Sequence, residues 1–130
     1  MSELGKVNYF TDLECWKLSR QLRQEIYKII HQLPEEEKYA LGLQMRKASV
    51  SITANIAEGF GRYHFQENIQ FCRNSRGSLY ESHDHLITCY DEHYIDKTKF
   101  DDVTKLIEPA AKSLNGYLRW LNKQKDELNK

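Results

Sequence analysis

Proline occurs only twice and glycine only six times in the 130 residues of this chain. That scarcity excludes the composition of a disordered or all-β protein and fits a helical globular fold. An excess of charge of either sign is also missing, because 19 Lys and Arg residues balance 19 Asp and Glu residues. With zero net charge, no long-range field draws the whole molecule to nucleic acid or to a membrane, and any such binding has to use a local patch. No apolar run reaches the roughly 18 residues that a bilayer span requires, and the N-terminus lacks a charged-then-apolar leader. Both absences predict a cytoplasmic protein without a membrane partner. Cysteine is sparse and odd in number: Cys15, Cys72 and Cys89 show no CxxC spacing, which argues against a disulfide framework or a zinc finger and for buried free thiols.

Against these absences stands a hydrophobic content of 40%, much of it at helical spacing. A length of 130 residues suits one domain with a single core and is too short for two, so residues 1–130 are read as one domain. Four helices are expected, over about 12–33, 35–60, 64–92 and 97–125. The first has an apolar seam of Cys15, Leu18, Leu22, Ile26, Ile29 and Leu33, in steps of three and four. Thr11 and Glu14 have capping-box spacing at its start, and Pro34 ends it while suiting the first turn of the next. Gly59 and Gly61 are natural stops for the second helix, and Phe65, Ile69, Cys72, Leu79 and Leu86 form the seam of the third. Asp96 or Thr98 serves as N-cap of the fourth, inside which Pro109 predicts a kink or a restart. Amphipathic helices joined by short connections imply an all-α fold, an antiparallel up-down-up-down four-helix bundle.

The second helix departs from the amphipathic pattern. On a helical wheel Leu41, Met45, Ala48, Ile52 and Ile56 form one apolar face, and roughly opposite lie Leu43, Val50, Ala54, Ala57 and Gly61. Gln44, Lys47, Ser51, Asn55, Glu58 and Arg62 run between them as a polar stripe. One apolar face is enough for a helix in a monomeric bundle, so the second predicts a homo-oligomer in which small side chains let a partner helix approach closely. The competing arrangement covers this face from within one subunit, by the fourth helix or the N-terminal arm.

Three segments, "FTDLECWKLSRQLRQEIYKI", "LPEEEKYALGLQMRKASVSITANIAEGFGR" and "GSLYESHDHLITCYDEHYID", closely resemble the bacterial four-helix-bundle family encoded in intervening sequences of large-subunit (23S) ribosomal RNA genes. Gln44, Arg46, Ala48, Ser51, Asn55, Ile56, Ala57, Glu58, Gly59 and Arg62 match its most specific block, and Gly77, Ser78 and Glu81 match a second. The resemblance implies a cytoplasmic bundle that assembles as a homopentamer. It also implies a distant similarity to accessory proteins of diversity-generating retroelements, which form basic rings that bind nucleic acid and a reverse transcriptase. It implies no known enzyme and no cofactor. Two positions depart from the pattern: Ser82 stands where an apolar residue is usual, and His93 where Gly commonly ends the helix.

Within this frame the candidate sites are few. Asn55, Glu58 and Arg62 share a stripe that Glu81 of the next helix can face, which reads as a hydrogen-bonded network fixing helix pairing or subunit register. A catalytic pair from Glu58 and Glu81 would require a cleft and shifted pKa values, and no nucleophile or phosphate loop is recognisable, so no enzyme is expected. Arg46, Lys47, Arg62, Arg73 and Arg76 form a candidate basic patch for RNA or DNA, repeated in every copy of an oligomer, although Glu58, Glu67 and Glu81 are placed to neutralise it. His85, Cys89 and His93 fall four residues apart on one helical face, but a single straight helix cannot wrap a tetrahedral ion, so no metal site is assigned. The leading reading is an oligomeric scaffold or adaptor whose partners are itself and RNA, DNA or a nucleic-acid enzyme. The alternative is a purely structural self-assembling module that binds another protein.

Overall fold

The apolar seams fold as helices packed side by side. In the computed structural model, which describes residues 7–129, a 3-10 turn at Phe10–Asp12 leads into α1 (Glu14–Gln32), α2 (Glu35–Lys38), α3 (Leu41–Phe60), α4 (Phe65–Asp91), α5 (Lys97–Thr104) and α6 (Ile107–Leu128). The four long helices form the bundle, with α1 against α3 and α6, and α4 against α3 and α6. Contacts run in opposite order along two neighbouring pairs: Met45 meets Cys89 while Ile52 meets Ser75, and Tyr27 lies under Arg46 while Arg23 reaches Thr53. Thus α3 runs antiparallel to both α4 and α1. Among the described residues there is no strand, and no helix is long and apolar enough to cross a membrane.

Two apolar clusters fill the interior. One gathers Leu22, Ile26, Ile29, Met45, Ile52, Leu79 and Leu86 with Val103 and Ile107, and the other gathers Leu13, Cys15, Ile56, Ile69, Cys72, Leu114 and Leu121. They include the seam residues Cys15, Leu22, Ile26, Ile29, Ile69, Cys72, Leu79 and Leu86, buried because a single stripe on each helix supplies most of the apolar area removed from water.

Several helix ends differ from expectation, each for a local reason. The Thr11–Glu14 box does not cap α1. Its N-cap is Leu13, without a side-chain bond, and the capping carboxylate is Asp12, which accepts from the backbone N–H of Asn8 at 3.0 Å and Tyr9 at 3.1 Å. Those bonds favour the ionised form and hold the Asp12 carboxyl below the usual carboxylate range. The single helix expected over 35–60 is broken at Tyr39 and Ala40. At the break the start of α3 packs against the end of α1, so that a Cβ on Gly42 would lie 3.1 Å from the Glu37 carbonyl and 3.3 Å from Leu33. Glu37 in turn accepts the Tyr94 hydroxyl at 2.7 Å, a tertiary contact that outweighs local helix propensity.

Gly59 is not a stop either. It lies inside α3, buried, and a Cβ there would meet Asn68 Oδ1 at 2.7 Å and Phe71 Cβ at 3.0 Å, so its role is the close approach of α4. Pro109 behaves as a restart: α5 ends at Thr104, α6 begins at Ile107, and the proline falls in the first turn, where a backbone N–H has no intrahelical acceptor. Asp96 is the N-cap of α5, accepting from Lys99 N–H at 2.8 Å. His93 has φ 64°. Around it Tyr94 N–H donates to the Cys89 carbonyl at 2.8 Å and His93 N–H to that of Tyr90 at 3.1 Å, a Schellman cap built on a non-glycine residue. Ser82, the other departure from the family pattern, is buried with no hydrogen-bond partner for its Oγ.

Two substitutions with opposite signs test these ends. His93→Gly removes the left-handed penalty of a side chain and is expected to stabilise the fold by about 1 kcal/mol in urea denaturation. Gly59→Ala forces α3 and α4 apart and is expected to destabilise it by roughly 1–3 kcal/mol; equal effects from the two would contradict the assigned backbone roles.

Candidate functional site

Of the outer faces of the bundle, the one on the α3–α4 pair combines exposed apolar and small residues. Leu43 and Val50 are each 40% exposed, Ala54 and Gly61 are exposed, and Ala57 is partly so. The opposite side of the same helix is buried through Met45, Ala48, Ile52 and Ile56. On α4, Gly77 is exposed, and nothing lies within 4 Å of the place where its Cβ would be. Its chain neighbours face opposite ways, Ser78 to Ser51 of α3 at 2.8 Å and Arg76 to Asn115 of α6 at 2.8 Å, so Gly77 lies on the outer side of α4 between them.

The polar stripe separates into parts. Asn55 donates to the Ser51 carbonyl at 2.8 Å and to the Ser51 hydroxyl at 2.7 Å, and Ser78 joins them from α4. Glu58 and Arg62 form an ion pair at 2.8 Å, with Glu67 at 3.7 Å from the same guanidinium, which also lies over the Phe71 ring. Glu81 joins neither group and pairs with His85 at 3.6 Å, one turn along its own helix. Glu58 and Glu81 are each about half exposed, so the two carboxylates share no cleft.

The five basic residues do not form one patch. Arg46 is drawn to the α1 side, 5.0 Å over the Tyr27 ring, and Lys47 is exposed beside it. Arg62 is neutralised by its two carboxylates. Only Arg73 and Arg76 come together, on the α6 side of α4, where they line a cleft of about 270 Å³ with Asn115, Leu118, Arg119 and Asn122. Arg119 was not singled out by the sequence reading. Its one signal there is a stripe of Lys112, Asn115, Arg119 and Asn122 on α6 that contains no carboxylate.

His85, Cys89 and His93 are likewise dispersed. Cys89 is buried against Met45, with Sγ 3.6 Å from Sδ, His85 faces Glu81, and His93 occupies the exposed cap. Among the described residues no three His, Cys, Asp or Glu side chains are grouped as they are around an ion. The thiols are all free and buried; burial pushes Cys15 and Cys72 up to about 12 and Cys89 up to about 11. Of the aromatic residues, Tyr117 is buried and stacks on Trp120, and Trp16 packs edge-on against Phe10.

Comparison with known proteins gives one positive result. The family model of the 23S rRNA-intervening sequence protein matches residues 11–116, which span α1 through the first half of α6. No curated protein matches the chain significantly.

Two measurements check this geometry. A double-mutant cycle should give Glu58 and Arg62 a coupling of about 0.3–0.5 kcal/mol, as for exposed helix pairs, and Glu81 and Arg62 none. At pH 8 all three thiols are protonated in the native fold, so iodoacetamide should label none of them until denaturant is added. Rapid labelling of the folded chain at one cysteine would contradict its burial.

Proposed function

The chain belongs to the 23S rRNA-intervening sequence protein family, and we propose that it works as a non-enzymatic, self-associating scaffold whose copies pack through the outward face of α3. The observation that carries this reading is a second apolar face of Leu43, Val50, Ala54, Ala57 and Gly61 on a helix whose first face is already buried. Small residues at three of these five positions permit a second helix to come close. Gly77 supports the same reading. A glycine inside a helix costs about 1 kcal/mol relative to alanine, and among the described residues no neighbour requires its missing side chain.

The arginines give the scaffold a ligand. Repetition of Arg73, Arg76 and Arg119 in each copy multiplies weak phosphate contacts, so a chain of zero net charge acquires salt-dependent affinity for RNA or DNA. The reading is non-catalytic, and the separate pairing of Glu58 with Arg62 and of Glu81 with His85 supports it.

Light scattering on the eluting protein tests association directly. A multiple of 15.4 kDa is expected, fivefold if the pentamer implied by the family resemblance applies; a monomer at micromolar concentration would sink the reading. Val50→Glu should dissociate the assembly while leaving helical content unchanged. Gly77→Ala should stabilise the isolated subunit by about 1 kcal/mol yet weaken association, a pair of signs that no purely intramolecular role for Gly77 produces.

A further inference from the structure

The cleft between α4 and α6 has a composition that a general nucleic-acid surface does not need. Its six lining residues are three arginines, two asparagines and one leucine. No carboxylate lines it, and among the described residues neither Arg73 nor Arg119 has an acidic partner within 4.0 Å. Arg76 is partly buried and is oriented by Asn115, whose Oδ1 accepts from Arg76 Nη1 at 2.8 Å. That bond spends one of five guanidinium donors and leaves the Asn115 amide donors unspent. The Arg119 guanidinium lies over Gly116 on its own helix, with Nη2 3.6 Å from where a Cβ would be, an ordinary contact distance. On the floor, Leu118 is buried and its carbonyl is already bonded to Asn122 Nδ2 at 3.0 Å.

Three like charges around one cleft repel one another, and the ligand that relieves the repulsion best concentrates two or more negative charges in a small volume. A phosphodiester carries a single charge and continues along a chain on both sides. A terminal phosphate or a diphosphate carries more charge and ends. Size agrees, because about 270 Å³ is below the roughly 300–1,000 Å³ of sites that enclose a drug-sized molecule. The lining has no aromatic ring on which a base can stack, so the phosphate group alone is recognised.

We propose that the α4–α6 cleft is a binding site for a phosphomonoester or diphosphate group, gripped by Arg73, Arg76 and Arg119. Two sources carry that chemistry: the 5′-phosphorylated end of a nucleic-acid strand, and a free nucleotide or inorganic diphosphate. The assignment rests on the proposed function only in taking Arg73 and Arg76 as anion-binding groups, and it holds for a single subunit whether or not subunits associate.

Calorimetric titration of the full-length protein with inorganic diphosphate at low salt tests the site without any nucleic acid. Saturable binding at one site per subunit is expected. Arg73→Gln and Arg119→Gln, both exposed residues without ion-pair partners, should each weaken it about tenfold, with an unchanged melting temperature as the control for folding. Lys47→Gln, on the outer side of α3, should leave the affinity unaltered. Labelled single strands with and without a 5′ phosphate identify the source. Preference for the phosphorylated strand, displaced by diphosphate, assigns the cleft to strand ends; binding of diphosphate alone assigns it to a free ligand, and both outcomes uphold the site. Absence of diphosphate binding at millimolar concentration, or binding undiminished in the double variant, overturns it. Strand binding indifferent to the 5′ phosphate and to diphosphate also overturns it while leaving the broader nucleic-acid reading intact.

Discussion

The close approach of α3 to α4 is the constraint on which the rest of the molecule depends. Gly59 rests against Asn68 and Phe71, the buried Ser75 hydroxyl donates to the Ile52 carbonyl at 2.7 Å, and Ser51 meets Ser78 across the pair. Each of these contacts requires a small residue on at least one side, because two large side chains set helix axes at the wide end of their usual spacing of about 8–10 Å. The run "ASVSITANIAEGFGR" follows from that requirement. Within it Ser51 and Gly59 face α4, where room is least, whereas Ala54 and Gly61 stay exposed on the outward face. The long apolar side chains that hold the interior, Met45, Ile52 and Ile56, remain on the one face directed between α1 and α4.

The same closeness sorts the charges. Arginines on the edges of α3 and α4 cannot turn inward, so each is carried to the neighbour its own edge faces. Arg46 goes to the Tyr27 ring of α1, Arg62 to Glu58 and Glu67, and Arg76 to Asn115 of α6. Zero net charge conceals this distribution. Around Arg62 the balance is local, whereas around Arg73, Arg76 and Arg119 the compensating carboxylates lie elsewhere on the surface, which leaves one groove with a field of a single sign.

Much of the fold was legible because helical seams and end signals act over a few residues. Cys15, Leu22, Ile26, Ile69, Leu79 and Leu114 are core residues where the three- and four-residue spacing puts them, and Pro109 marks a true restart. Less was legible where a distant residue chose between local options. The segment before the break at Tyr39 and Ala40 is tied to Tyr94 through Glu37, and the role of Gly59 depends on Asn68 and Phe71. The candidate basic patch is the clearest instance. Nearness in sequence suggested that Arg62 and Arg73 act together, but the turn between α3 and α4 brings Glu67 to Arg62, while Arg73 faces α6 and Arg119, a residue 46 positions later in the chain.

What the sequence determined by itself is therefore the four long helices, their buried stripes, the free thiols and the membership in a bundle family, since each is encoded in spacing or in residues a few positions apart. Which side chains meet across helices was decided by tertiary structure alone. The physical reason is that the rotation of each helix about its axis, and hence the neighbour an edge residue reaches, is set by packing against two other helices at once. No local pattern contains that information, and so the three-arginine cleft and the dispersal of the polar stripe emerge only when the bundle is assembled.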